Sequence, residues 1–161
     1  MKLEGSCHCG AVTFSADTKT PMPFSRCYCT ICRKTSGGGG YTINLLADMN
    51  SLKIEGEEHI TVYRANANDR GAYEEDGLGF SRRSFCSRCG SALWVHNPKW
   101  PEYLPPFASA IDTDLPIPPE IQSIMTAHAV SWVEFPDGPQ FAGYPELGLE
   151  DWHKAHGLYL D

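Results

Sequence analysis

All seven cysteines of this chain fall in three tight clusters: Cys7-His8-Cys9-Gly10, Cys27-Tyr28-Cys29-Thr30-Ile31-Cys32 and Cys86-Ser87-Arg88-Cys89-Gly90. A small secreted protein would use cysteines as disulfide staples, but here the count is odd. A chain of 161 residues also buries about 70% of its unfolded surface without cross-links. Short spacings repeated three times point instead to metal binding. In the first and last clusters a glycine follows the second thiol and supplies the positive φ with which a backbone knuckle turns two sulfurs onto one ion. Thiolate-rich donor sets select zinc ahead of magnesium or calcium, with iron the other metal that ligand type alone allows.

Two partitions of the seven thiols fit the spacing. In one, the two knuckles form a closed four-cysteine site that contributes folding energy, and the triplet Cys27, Cys29 and Cys32 holds a second ion with its fourth position open to water or substrate. In the other, Cys29-x-x-Cys32 and Cys86-x-x-Cys89 make a zinc ribbon, leaving Cys7, Cys9 and Cys27 as an incomplete set. An open position is the mark of a catalytic zinc, so the choice bears on whether the chain is an enzyme.

Periodicity around the clusters reads as mainly β. Residues 10–16 alternate, with Val12, Phe14 and Ala16 on one face, as in a half-buried strand leaving the first knuckle. Extended segments are expected at 24–27, 41–46, 52–55 and 59–65, where Ile60, Val62 and Tyr63 have the β-branched and aromatic bias of a sheet. A brief helix or turn is expected at 29–35, running into the glycines at 37–40. Residues 78–85 lead into the second knuckle and 91–96 lead out, a hairpin pinched by metal. The polar stretch 66–77 reads as a surface loop, and proline-rich 98–106 as loop or irregular edge. Strands are further expected at 108–111 and 127–135, and a helix at 150–156. With no repeat, heptad or low-complexity tail, residues 1–161 are expected to form one domain.

Acidic residues outnumber basic ones, 20 against 13, for a formal charge of −7; this opposes sequence-independent binding to a phosphate backbone, so no nucleic-acid partner is expected. No apolar run reaches the roughly 18–20 residues that span a bilayer, and the start Met1-Lys2-Leu3-Glu4-Gly5-Ser6 lacks an apolar signal core. A soluble, cytoplasmic protein without membrane contact is the expectation.

The ordered set of motifs carries a family resemblance. Cys-His-Cys-Gly-Ala-Val-x-Phe (Cys7 to Phe14), Cys-x-Cys-x-x-Cys-Arg-Lys (Cys27 to Lys34) and Phe-Cys-x-x-Cys-Gly (Phe85 to Gly90) resemble the glutathione-dependent formaldehyde-activating enzymes, also called the centromere protein V family. The resemblance spans most of the chain and implies a β-tent fold of several antiparallel sheets. It also implies a structural zinc on Cys7, Cys9, Cys86 and Cys89 and a second zinc on Cys27, Cys29 and Cys32, the first of the two partitions. Tyr28, where a histidine is frequent, the four-glycine run and the proline-rich stretch around Trp100 depart from the family pattern and mark where this chain's pocket differs.

The family's named reaction is the reversible addition of the glutathione thiol to formaldehyde. A three-thiolate zinc suits such carbon–sulfur lyase or synthase chemistry, binding a thiol as thiolate or polarising a carbonyl oxygen. Its excess negative charge makes it a weak activator of hydrolytic water. A glutathione-like partner carries carboxylates, which Arg33 and Lys34 are placed to receive, with Arg82, Arg83 and Arg88 as alternatives. The alternative class is a non-catalytic zinc module that binds a protein partner. His8 is expected to point away from the metal. His96 and His128 are read as strand residues, His153 and His156 as a solvated helix face, and the four tryptophans as core or loop anchors.

Overall fold

The strands expected around the knuckles are present in the computed structural model, which describes residues 1–36, 38–66 and 76–158. In chain order the regular elements are β1 (Lys2–Ser6), β2 (Thr13–Asp17), β3 (Phe24–Cys27), α1 (Thr30–Ser36), β4 (Thr42–Asn44), β5 (Ala47–Asp48), β6 (Lys53–Glu55) and β7 (Ile60–Tyr63). After them come β8 (Arg82–Cys86), β9 (Ala92–His96), β10 (Tyr103–Leu104), β11 (Ile121–Ile124) and α2 (Leu149–Ala155). They form four small sheets, ordered β1-β2-β6, β10-β5, β11-β3-β4 and β7-β8-β9. Every pairing is antiparallel except β11 with β3, which runs parallel. This is the mainly β arrangement of small sheets that the motifs imply, with cysteines at strand ends.

β2 alternates as its sequence requires, Phe14 and Ala16 buried and Thr13 and Asp17 exposed. It begins at Thr13 rather than residue 10 because the knuckle consumes the preceding residues: Cys7 N–H donates to Val12 O at 3.0 Å, and Gly10 turns with φ +73°. The largest apolar cluster gathers Leu3, Val12, Phe14, Leu93, Trp94 and Leu104. Phe14 and Trp94 meet edge-on with ring centroids 5.0 Å apart, the arrangement that aromatic quadrupoles favour. A second cluster packs Trp152 of α2 on Met22, Phe24 and Leu45. A third, Ile124 with Ile31, Met125 and Phe141, surrounds Cys27, Cys29 and Cys32.

Two expected strands are corrected. Residues 108–111 enclose a 3-10 turn, Ala108–Ala110, because Phe107 and Ala110, three apart, both turn inward while Ser109 stays out. Residues 127–135 are not a strand either: Met125 at φ 58° ends β11, a 3-10 turn follows at Thr126–His128, and the chain beyond is mostly exposed. The strand lies earlier, at β11. Nearly all of the loop expected at 66–77 lies outside the described residues. Among those described, no helix is long and apolar enough to cross a membrane.

Candidate metal centres

Two groups of sulfurs emerge from this fold. Cys7 and Cys9, at the turn between β1 and β2, meet Cys86 and Cys89, at the turn between β8 and β9, with all four Sγ atoms within 4.8 Å of one another. Cys7 Sγ lies 3.6 Å from Cys9 Sγ, and Cys9 Sγ lies 3.9 Å from Cys86 Sγ. Disulfide sulfurs sit at about 2.05 Å, whereas two thiolates on a tetrahedral zinc, each at about 2.3 Å, lie about 3.8 Å apart. The spacing fits an ion, not a covalent bridge. Both turns close with the same backbone bonds, Gly10 N–H to Cys7 O and Gly90 N–H to Cys86 O; beside them Val12 N–H donates to Cys7 Sγ at 3.2 Å, and Ser91 Oγ lies 3.2 Å from Cys89 Sγ. Ser91 Oγ also accepts from His8 N at 3.1 Å, stitching one turn to the other.

The second group is Cys27, Cys29 and Cys32, again with sulfurs within 4.8 Å. Cys27 ends β3 and Cys32 sits in the first turn of α1, so strand end and helix start aim the three thiols at one point. Cys32 N–H donates to Cys29 Sγ at 3.3 Å, and Thr42 Oγ1 from the adjoining β4 holds Cys32 O at 3.0 Å. All three cysteines are buried. The geometry therefore groups the thiols as knuckle with knuckle and triplet alone, and a ribbon pairing Cys29 and Cys32 with Cys86 and Cys89 does not form.

Proton affinities are mixed in the four-sulfur group and raised at Cys27 and Cys32 of the triplet. In the four-sulfur group, the Ser91 side chain and backbone hold the Cys89 thiol down at about 5. Burial acts to raise Cys7, yet the Val12 N–H and the neighbouring sulfurs outweigh it and keep it below the ordinary thiol value. Ala11 N–H pulls Cys9 down, but desolvation and the surrounding sulfurs carry it up to about 11. In the triplet, the Cys27 and Cys29 sulfurs and then burial push Cys32 well up, and Cys27 is raised chiefly by Cys29. Packed thiols resist common ionisation, and a divalent cation removes that resistance. Donor type and spacing fit zinc at both groups.

Ile31, Ile124, Met125 and Phe141 pack on the triplet, whereas Tyr28, between its first two cysteines, joins a separate aromatic cluster. Tyr28 is fully buried between Tyr41 and Phe135, ring centroids 5.4 and 4.9 Å away, and its hydroxyl has no hydrogen-bond partner. Arg26 stacks over the Tyr41 ring at 4.5 Å. A side chain at Gly40 would strike Trp132 and Val133, so these residues lie against the turn that leads into β4. Tyr41, Phe135 and Trp132 carry no local motif; only the tertiary fold reveals them.

The cations divide. Arg33, in the last turn of α1, is half-buried with Nε enclosed and unpartnered, whereas Lys34 is exposed. Arg83 is buried, its Nη2 directed at Cys32 Sγ 3.9 Å away; Arg88 is exposed in the second knuckle. His8 and His128 are exposed, the latter on its turn rather than on a strand. His96 Nδ1 lies 3.3 Å from Tyr103 O. The expected solvated face of α2 is partly tied down: His153 Nε2 lies 2.8 Å from Met22 O, and His156 stacks on Trp152 at 4.0 Å. Trp94 and Trp152 are core residues, whereas Trp100 and Trp132 are exposed.

Residues 2–127 match the family model described as glutathione-dependent formaldehyde-activating enzyme. A protein of Halomonas elongata, provisionally named as such an enzyme, is 52% identical over 162 residues, covering 98% of each chain. A crystal structure of a Rhodobacter sphaeroides protein superposes with a TM-score of 0.53 at 24% identity, over 72% of this chain and 92% of that one. At that identity the last likeness speaks for the fold alone.

Proposed function

Because the chain belongs to the glutathione-dependent formaldehyde-activating enzyme family, we propose that it is a zinc-dependent carbon–sulfur lyase or synthase. It would join a glutathione-type thiol to formaldehyde, or split the S-hydroxymethyl adduct, at a centre held by Cys27, Cys29 and Cys32. The observation that carries this reading is the contrast in donor number: among the described residues four sulfurs meet in one group, enough for a tetrahedron, and only three buried sulfurs in the other, which would leave a position open. Zinc bound there supplies a site that takes a thiol as thiolate or polarises a carbonyl oxygen. In the forward direction the thiol proton departs, sulfur bonds to the formaldehyde carbon, and the carbonyl oxygen takes a proton to become the hydroxyl. Reversal breaks the same carbon–sulfur bond.

The chain's residues share this work. Cys27, Cys29 and Cys32 would hold the metal, and the Cys32 N–H and Thr42 contacts fix the triplet backbone. Ile31, Ile124, Met125 and Phe141 pack on the three cysteines and keep water from one side, so that charge developing on sulfur or oxygen meets a low dielectric. Arg33, with Lys34 beside it, receives a carboxylate of the thiol partner; the enclosed Nε of Arg33 is a donor awaiting an acceptor. Cys7, Cys9, Cys86 and Cys89 hold the structural zinc.

The test is exchange NMR between free formaldehyde and S-hydroxymethylglutathione, with the spontaneous rate subtracted. Wild type is expected to accelerate exchange and Cys29→Ser to abolish the acceleration while keeping the four-sulfur metal. Exchange equal to the protein-free rate in wild type, or unchanged in Cys29→Ser, overturns the proposal.

A further inference from the structure

Among the described residues Arg83 is the only charged side chain in the buried set, with 7% of its surface exposed. It sits on β8, three positions before Cys86, and reaches away from that cysteine's cluster to the other one: Nη2 approaches Cys32 Sγ at 3.9 Å from 51 residues away in sequence. Its Nε is buried without a hydrogen-bond partner, and no carboxylate among the described residues pairs with it. A guanidinium stays charged at any accessible pH, and enclosing one with no counter-charge is costly. The counter-charge here is the sulfur cluster. Three thiolates outweigh a divalent ion by one negative charge, and Arg83 brings that sum to zero.

The consequence appears when a substrate thiolate takes the free corner. The thiol gives its proton to solvent, and its sulfur becomes a fourth anionic donor on a centre that without Arg83 would already be negative. We propose that Arg83 is a positioning residue that acts through the Cys32 sulfur: its buried charge balances the three-thiolate centre and lets it accept a fourth, anionic thiolate. This rests on the metal-centre reading above. It differs from a role as carboxylate receptor, because the charge would serve any thiolate, with or without a carboxylate.

The experiment is a ligand titration of the cobalt-substituted protein, read from its ligand-field bands, for wild type, Arg83→Met and Arg83→Lys. The ligands are 2-mercaptoethanol, glutathione and imidazole. Retention of the four-sulfur metal and an unchanged far-UV spectrum certify the fold; if Arg83→Met fails to fold, Arg83→Gln takes its place. Loss of the charge is expected to weaken both thiols by about tenfold or more, the scale of a hydrogen bond to a charged group. Neutral imidazole should be unaffected, and Arg83→Lys should recover part of the loss. Unchanged thiol affinity overturns the inference, as does weakening of glutathione alone, which would make Arg83 a carboxylate receptor. Equal weakening of imidazole also overturns it, leaving Arg83 a packing strut. A wild-type cobalt centre indifferent to every thiol removes the proposed function as well, whereas a responsive wild type with an unaltered variant removes this inference only.

Discussion

In the four-sulfur cluster, Cys9 and Cys89 are exposed and the two knuckles lie far apart in sequence, Cys86 standing 77 positions after Cys9. In the three-sulfur cluster, every cysteine is buried and all come from one short stretch, strand end to helix start. The difference lies in chain entropy. A cross-link closing a loop of 77 residues removes about 4 to 5 kcal/mol of unfolded-chain entropy, whereas one closing half a dozen residues removes only about 2 kcal/mol. The first cluster can therefore sit at the surface and still hold sheets together. A metal at the second would contribute little to closure, and burial there would instead shield the ion from water. Stability is drawn from sequence separation, chemistry from enclosure.

The sharpest way to break this contrast is to remove one sulfur from each. Cys86→Ser is expected to lower the melting temperature by tens of degrees or prevent soluble expression. An ion on these four sulfurs would tie β1–β2 to β8–β9, and β8 also carries Arg83 to the triplet. Cys29→Ser should lose one metal and shift the melting temperature by only a few degrees. Thermal unfolding followed by circular dichroism, beside metal analysis, checks both; equal destabilisation would erase the distinction.

A second contrast separates the cations beside the triplet. Arg33→Ala is expected to raise KM for a glutathione adduct by about tenfold, the loss of a charge-assisted hydrogen bond, with kcat little changed. Lys34→Ala, at an exposed position, should leave both constants nearly as they were.

Acid should distinguish the two ions in a smaller but ordered way. Metal binding requires thiolates, so falling pH releases metal as protons compete for sulfur. Cys27 and Cys32 hold their protons above the ordinary thiol value, and only three sulfurs compete there. In the other group Cys89 ionises at about 5 and four sulfurs act together, although Cys9 opposes them. The triplet metal is therefore expected to leave first, at the higher pH, in a titration followed with a chromophoric chelator. Simultaneous release would mean that the two sites are energetically alike.

The smallest expected effect belongs to Tyr28. Its hydroxyl is buried without a partner, a state that costs about 1–3 kcal/mol. Tyr28→Phe should therefore stabilise the protein by about 1 kcal/mol in urea unfolding; a loss of stability would reveal a hydrogen bond made in solution.

The cysteine spacing made both clusters legible before the fold, because knuckle geometry is local. The partition between them was not. Whether Cys86 and Cys89 meet Cys7 and Cys9 or Cys29 and Cys32 depends on which sheet β8 joins, and the spacings fit both until the motif order invokes a family. β2, β3, α1 and the β8–β9 hairpin were readable from alternation, turns and the knuckles. β11 was not, because two of its three buried residues, Gln122 and Ser123, are polar and break the apolar alternation. β1 was missed for a related reason: Gly5 occupies a buried position and carries no apolar signal. Two long-range contacts were hidden in the same way. Phe135 reaches Tyr28 from a segment that reads as a strand yet is irregular, exposed chain, and Arg83 reaches Cys32 from a strand whose neighbouring motif points elsewhere.

Zinc content per chain in wild type, Cys29→Ser and Cys86→Ser, measured on the same preparations as their folded fraction, tests the division of labour most directly. Two zinc ions in wild type and one in a fully folded Cys29→Ser, with a Cys86→Ser chain that fails to fold, is the expected result. One zinc in wild type, or a Cys29→Ser chain as unstable as Cys86→Ser, would contradict it.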